Sequence, residues 1–264
     1  MKTRSCLLSV VLLFVGCGQP GTAPTAPAPG SELHVAVAAS MRYAFEDVVV
    51  ALAAEHPEIK VKPNFGASGA FFAQISQGAP LDLFLSADME YPEKLAAEGH
   101  AETPFAYATG RLCLWAPKSA GLDLAGRGME ALGDPGIVKI AIANPDTAPY
   151  GRAALEALRH YHLLAAVETK LVRGENIGQA GQFVQSGGAQ AGLIAYSLTF
   201  VEAMKGGDLW LVPEDWHEPL AQGGAITKQC RDPGAAALVQ AFLTGEKGQE
   251  ILARHGFGKP GRGS

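Results

Sequence analysis

The chain is short of charge and of the residue patterns that usually mark catalysis. Only 18% of its residues are Asp, Glu, Lys or Arg, and the formal net charge is −5. No run of Lys or Arg interrupts it, which argues against nucleic acid as a partner. Its four cysteines are Cys6, Cys17, Cys113 and Cys230, and no two of them form a C-x-x-C pair. The seven histidines are scattered, with no H-E-x-x-H among them, and there is no P-loop. His160 and His162 lie two apart and cannot share a helix face. Asp82 and Asp88 are too isolated to read as a catalytic carboxylate pair. Residues 126–131, Gly-Arg-Gly-Met-Glu-Ala, fit G-x-G-x-x-A, but no strand leads into them, so no dinucleotide site follows. No internal stretch is long and apolar enough to span a bilayer. These absences predict a protein that is not an enzyme and carries no cofactor.

What is present is 264 residues with 48% hydrophobic content, enough for one large domain or two small ones. Lys2 and Arg4 precede an apolar run from Cys6 to Val15, the pattern of a secretory signal rather than a spanning helix. Phe14-Val15-Gly16-Cys17 resembles a bacterial lipobox and predicts lipidation at Cys17, giving a signal peptide over 1–17; plain cleavage to an unanchored protein is the alternative. Residues 18–31, rich in Pro, Gly, Ala and Thr, cannot build a core and predict a flexible tether. Beyond Cys17, only Cys113 and Cys230 remain to pair in an oxidising compartment, and their separation in sequence decides nothing.

Further along, short apolar runs alternate with helical stripes. Residues 33–38 read as a buried strand. Met41, Ala44, Phe45, Val48, Val49, Leu52 and Ala53 then fall on one face of a helix that Pro57 ends. Further strands are expected at 59–65, where Pro63 suggests an edge, and at 81–86, 111–117, 137–143, 167–172, 191–196, 209–212 and 220–227. Helices are expected between them and at 235–243 and 247–254. The alternation predicts an α/β fold with parallel sheets.

Four turns stand out where a strand gives way to a helix: Ala38-Ala39-Ser40, Gly66-Ala67-Ser68-Gly69, Ala148-Pro149-Tyr150-Gly151 and Gly174-Glu175-Asn176-Ile177. Small residues let backbone N–H groups approach a ligand. Ser40 and Ser68 are read as helix N-caps. A helix start offers free N–H groups and roughly half a positive charge, which suits an anion. Taken singly, each is as well explained by an ordinary capped helix. Residues 66–70 also miss the G-x-S-x-G nucleophile elbow by one place, leaving an esterase-like hydrolase using Ser68 as the reading from another class.

In this order, and with Gln74-Ile75 and the run from Gly78 to Asp88, the four turns resemble the periplasmic molybdate-binding protein family of ABC transporters. The resemblance spans about residues 33 to 258. It implies a type II periplasmic binding protein: two Rossmann-like α/β lobes joined by hinge strands, lobe I from 31–112 and 222–264, lobe II from 113–221. It implies that Ser40 and Ser68 give hydroxyl and amide donors from one lobe and that Tyr150 and Ile177 give amides from the other. These four would reach the metal of the oxyanion only through its oxygens. Ala39, Ala195 and Tyr196 are secondary candidates, at places where some members carry a hydroxyl. The implied ligand is molybdate, with tungstate close behind and sulfate as the alternative oxyanion. The implied partners are an ABC permease and its ATPase, met by a monomer at the periplasmic face of the membrane, held there by a lipid anchor only. No Arg or Lys lies in the first, second or fourth turn, and Arg152, one residue past the third, is expected to point outward.

Overall fold

The structure, a computed structural model, describes residues 32–261. The signal, Cys17 and the 18–31 tether lie outside the described residues. Two five-stranded sheets organise the chain. The first holds β1 (Glu32–Ala38), β2 (Lys60–Gly66), β3 (Leu83–Ser86), β4 (Phe105–Thr109) and β10 (Ala221–Ile226), in the order β2-β1-β3-β10-β4. The second holds β5 (Leu112–Pro117), β6 (Ile140–Ala143), β7 (Leu171–Gly174), β8 (Ala191–Ala195) and β9 (Gly207–Leu211), in the order β7-β6-β8-β5-β9. The chain therefore passes between the sheets at 110–111 and again between β9 and β10.

Neither sheet is all-parallel, contrary to the expectation from alternation. In the first, β1 runs parallel to β2 and β3, while β10 pairs antiparallel with β3 and β4. In the second, β6 runs parallel to β7 and β8, while β5 pairs antiparallel with β8 and β9. The reversed strand in each sheet is the one reached by a crossing from the other, so it lacks the βαβ connection that keeps neighbours parallel. Pro63 lies on β2, an edge strand, where a missing N–H is tolerated.

Helices cover both sheets: α1 (Arg42–Glu55), α2 (Ser68–Ser76), α3 (Glu90–Ala97), the single turn α4 (Leu124–Arg127), α5 (Pro149–His160), the single turn α6 (Leu164–Val167), α7 (Ile177–Gln185), α8 (Pro233–Thr244) and α9 (Glu246–Arg254). The stripe on α1 buries Ala44, Phe45, Val48 and Leu52 against Leu33, Val35, Val37 and Leu85. Each such large side chain contributes about 1.5–3 kcal/mol. Around the second sheet Ile140, Ile142, Leu193 and Ile194 form a second core with Ala154 and Leu158 of α5. Among the described residues no helix is long and apolar enough to cross a membrane.

Asp82 is structural. Its buried carboxylate receives Arg231 Nη2 at 2.7 Å, Arg231 Nε at 3.1 Å and the His34 amide at 2.7 Å, tying β1 to the approach to α8. Burial raises this carboxyl, but those bonds outweigh it and hold it below the usual range. Cys113 and Cys230 are both free. They belong to different cores, Cys113 to that of the second sheet and Cys230 to that of the first.

Candidate functional site

Each of the four turns follows the end of a strand and leads into a helix, but the serines do not cap as the sequence suggested. After β1 the chain makes a 3-10 turn, Ala39–Met41, before α1 begins at Arg42. Ser40 sits inside that turn rather than at its N-cap. It is 1% exposed, and its Oγ is buried without a hydrogen-bond partner. In the second turn Ala67 is the N-cap and Ser68 the first helical residue. The Ser68 hydroxyl accepts from the amide of Ala87, just past β3, at 3.0 Å. That long-range bond takes the oxygen that an N-cap would have turned back on its own helix. Its own proton is left free to donate.

The third turn places Pro149 and Tyr150 as the first two residues of α5, with Ala148 as N-cap. Proline suits that position because its missing N–H would have no intrahelical partner. In the fourth, Asn176 caps α7 through its side chain, which accepts from Gln179 N at 3.1 Å, and Ile177 opens the helix. The amides of Ser68, Tyr150 and Ile177 thus lie in first turns, where the helix offers them no acceptor.

The turns meet in pairs. Gly69 N donates to Thr147 O at 2.8 Å, joining the second turn to the third. A Cβ on Gly69 would lie 2.9 Å from that carbonyl and 2.6 Å from Tyr91 Oη, so glycine is required there. The Cβ of Ala39 lies 3.3 Å from where a Cβ on Gly178 would be, joining the first turn to the fourth. Ala38, Ala39, Ala67 and Ala87, from the first-sheet side, are buried in one cluster with Ala148, Tyr150 and Ile177 from the second. Ala195 is fully buried at the end of β8. Tyr196 begins the next 3-10 turn and packs edge-on against Phe200 at 4.9 Å, with Gly256 beside its ring.

Sequence reasoning missed two side chains here and misplaced a third. Ser197, next to Tyr196, donates to Ser40 O at 2.7 Å. Gln222 is fully buried on β10 and donates to Ala87 O and Leu220 O, each at 3.1 Å. Arg152 does not point outward. Its Nη2 meets Asp88 Oδ2 at 2.5 Å and Glu90 Oε2 at 3.1 Å, and its Nη1 lies 3.3 Å from Tyr91 Oη. The guanidinium therefore reaches from α5 to the start of α3, where two carboxylates neutralise it. Burial raises the Asp88 carboxyl above its ordinary value, against bonds from Ser86, Tyr91 and Arg152. Leu220 apart, these partners lie 61 to 157 residues away and leave no local signal of such contacts.

Chemically, the site offers hydroxyls and first-turn amides from both sheets, and the Arg152 guanidinium beside the third turn is already paired. That arrangement suits a small anion bound by dipoles. It does not suit acyl transfer at Ser68, whose oxygen is bonded to an amide rather than to a base.

The comparisons agree with this geometry. A model of the bacterial extracellular solute-binding protein family matches residues 33–258. The molybdate-binding protein ModA of Azotobacter vinelandii is 37% identical over 254 residues, covering 95% of this chain and 98% of that one. The molybdate-binding protein ModA of Rhodobacter capsulatus is 36% identical over 233 residues, covering 88% and 90%. The solved periplasmic molybdate-binding protein of Azotobacter vinelandii superposes with a TM-score of 0.81 at 32% identity, covering 87% of this chain and all of that one. A sulfate-binding protein from Mycobacterium tuberculosis shares the fold, at 15% identity and a TM-score of 0.69, covering 86% of each chain. With its two mixed sheets, its converging helix starts and a family match over nearly all the described residues, the chain belongs to the bacterial extracellular solute-binding proteins.

Proposed function

We propose that this protein is the extracytoplasmic solute-binding component of an ABC importer, that it captures molybdate between its two halves, and that it delivers the ion to the membrane permease and its ATPase. The supporting observation is the pairwise meeting of the four turns, second with third and first with fourth, together with a buried Ser40 hydroxyl that has no protein partner. The names of its relatives point the same way. We assign 31–112 with 222–264 to lobe I and 113–221 to lobe II. Ser40 and Ser68 supply donors from the first, and the amides of Tyr150 and Ile177 from the second. The charge is met by dipoles: helix starts of roughly half a positive charge each, four together, offset about the two negative charges of molybdate. Donors without a nearby acceptor disfavour a ligand that carries a proton, such as hydrogen phosphate. Tungstate, nearly the same size, should bind as well, whereas sulfate must be excluded by cavity size.

The protein works as a monomer. A lipid on Cys17 and the 18–31 tether would keep the globular part near the membrane. Mass spectrometry of the mature N-terminus tests the anchor, and an unmodified peptide starting past Cys17 would refute it. Calorimetric titration with molybdate, tungstate, sulfate and phosphate tests the ligand. Tight binding of the first two is expected; tight sulfate binding would overturn the assignment.

A further inference from the structure

The protein and its proposed cargo carry charge of the same sign. The chain has a formal net charge of −5. A doubly negative ion is therefore opposed on its way in until a local positive potential takes over. Arg152, beside the third turn, supplies none, because Asp88 and Glu90 hold its guanidinium. Arg42 is placed differently. It is the first residue of α1, directly after the first turn. Its Cζ stands 4.2 Å from the centre of the Phe65 ring, near the end of β2 where the second turn begins. The ring face helps to hold the guanidinium in place. Its ion pair is with Glu46 at 3.8 Å, and the two side chains are 43% and 51% exposed. An exposed pair at that separation is weak, so most of the charge is left to act on its surroundings.

Arg42 lines a cavity of about 180 Å³ together with Ala39, Asn176, Gly178 and Gln179. The cavity straddles the seam between the halves, since Ala39 of the first turn and Gly178, just past the fourth, approach one another there. No Asp or Glu is among the described residues that line it. Two of its side-chain amides have their orientation set by the backbone. Asn176 Oδ1 accepts from the amide of Gln179 at 3.1 Å, and Gln179 Oε1 accepts from the amide of Glu175 at 2.7 Å. The carbonyl end of each side chain is thereby used. Each amino end, a donor only, has no acceptor among the described residues. A guanidinium and two spare amino groups, with no carboxylate in the wall, suit an anion.

We propose that the Arg42 cavity is an outer capture site for the oxyanion: Arg42, with the amino ends of Asn176 and Gln179, draws the ion to the seam before it passes between the halves, and takes no part in holding it once bound. This rests on the reading of the protein as a receptor for a small oxyanion. The two arginines beside the turns then have separate tasks. Arg152 is neutralised and ties the halves together, whereas Arg42 sets how fast the ion arrives.

The test is stopped-flow tryptophan fluorescence with molybdate on the wild-type protein, Arg42→Gln, Arg42→Lys, Gln179→Glu and Lys228→Gln, at ionic strengths from about 0.01 M to about 1 M, alongside calorimetry and thermal melts. Arg42→Gln should slow second-order association roughly three- to tenfold at the low end and less than about twofold at the high end, where screening is nearly complete. Its dissociation rate should stay within about twofold of wild type. Arg42→Lys keeps the charge and should recover most of the lost rate. Gln179→Glu keeps the acceptor for the Glu175 amide but adds a negative charge to the cavity wall, so it should slow capture too; it carries the test should Arg42→Gln fail to fold. Lys228→Gln removes the same charge from a residue that does not line the cavity and should leave association within about twofold of wild type. The proposal is overturned by unchanged association in Arg42→Gln at low ionic strength, by a fall matched in Lys228→Gln, by no recovery in Arg42→Lys, or by a loss of affinity that lies in dissociation alone. A wild-type protein that gives no heat with molybdate removes the reading of the cargo itself, so the two failures are distinguishable.

Discussion

Arg152→Ala should speed release of the bound anion without slowing its capture. The guanidinium sits on α5, beside the third turn, and holds Asp88 and Glu90 at the start of α3, so the contact spans the two halves. The Asp88 side chain is 11% exposed and that of Arg152 33%. Breaking a fully buried pair from one side costs about 3–5 kcal/mol. An exposed pair is worth only about 0–1 kcal/mol. Here one partner is buried and the other is a third in water. The carboxylate left behind can also take up a proton, since burial already raises Asp88. We place the loss between those limits, at about 1–2 kcal/mol, or roughly five- to thirtyfold in affinity. The contact bridges the two halves, and a cross-half contact that must break before the anion leaves acts on the dissociation rate. Stopped-flow tryptophan fluorescence measures both rates, and calorimetry gives the equilibrium. Lys228→Ala is the control, because its partner Glu102 lies on the same half. A dissociation rate unchanged to within about twofold, or a change matched by Lys228→Ala, would refute the reasoning.

Gly69→Ala should weaken molybdate binding more than about tenfold, because the added methyl collides with Thr147 O across the cleft; titration of a variant with a near-normal melting temperature checks this. Ser68→Ala should lower affinity by about 1–3 kcal/mol and also reduce thermal stability, since the Ala87 amide loses its acceptor; unchanged affinity would remove Ser68 from the ligand set. Asp82→Asn should flatten the acid limb of the stability curve. The folded carboxyl lies below its ordinary value of 3.8, so its contribution is present above that pH and is lost as pH falls through the lower folded value. Asp88→Asn should act with the opposite sign. Its raised carboxyl binds protons more readily when folded, so wild-type stability declines as pH rises from about 4 through that raised value, and the variant should lose this decline. Denaturant midpoints measured across pH decide both.

Much of the scaffold was legible because the signals were local. The β1 run, the α1 stripe and the small residues at the four turns each lie within a dozen positions or so, and period and composition report them directly. β4 was not expected. Phe105-Ala-Tyr-Ala-Thr109 alternates strand-favouring residues with alanine, but it is only five residues long, and Pro104 just before it reads as loop. The antiparallel setting of β5 and β10 depends on which sheet the chain has come from, and no window of residues carries that. The misplaced caps have the same origin. Ser68 has the composition of an N-cap, and what turns its hydroxyl elsewhere is an amide 19 positions on. Arg152 was misjudged because its helical position favours solvent, whereas Asp88 and Glu90, more than 60 residues earlier, supply the better partner.

The placing of β10 also bears on how the molecule is assembled. The second sheet is made from one unbroken length of chain, 112–211, and can finish as soon as that length is available. The first cannot: β10 lies between β3 and β4, so β4 has no neighbour in its own sheet until residues 221–226 arrive. Early chain must wait for late chain across more than a hundred positions, the kind of long-range closure that slows folding. The half built first in sequence is thus the half completed last, and a chain truncated before residue 221 would retain one finished sheet and one with an open seam beside β3.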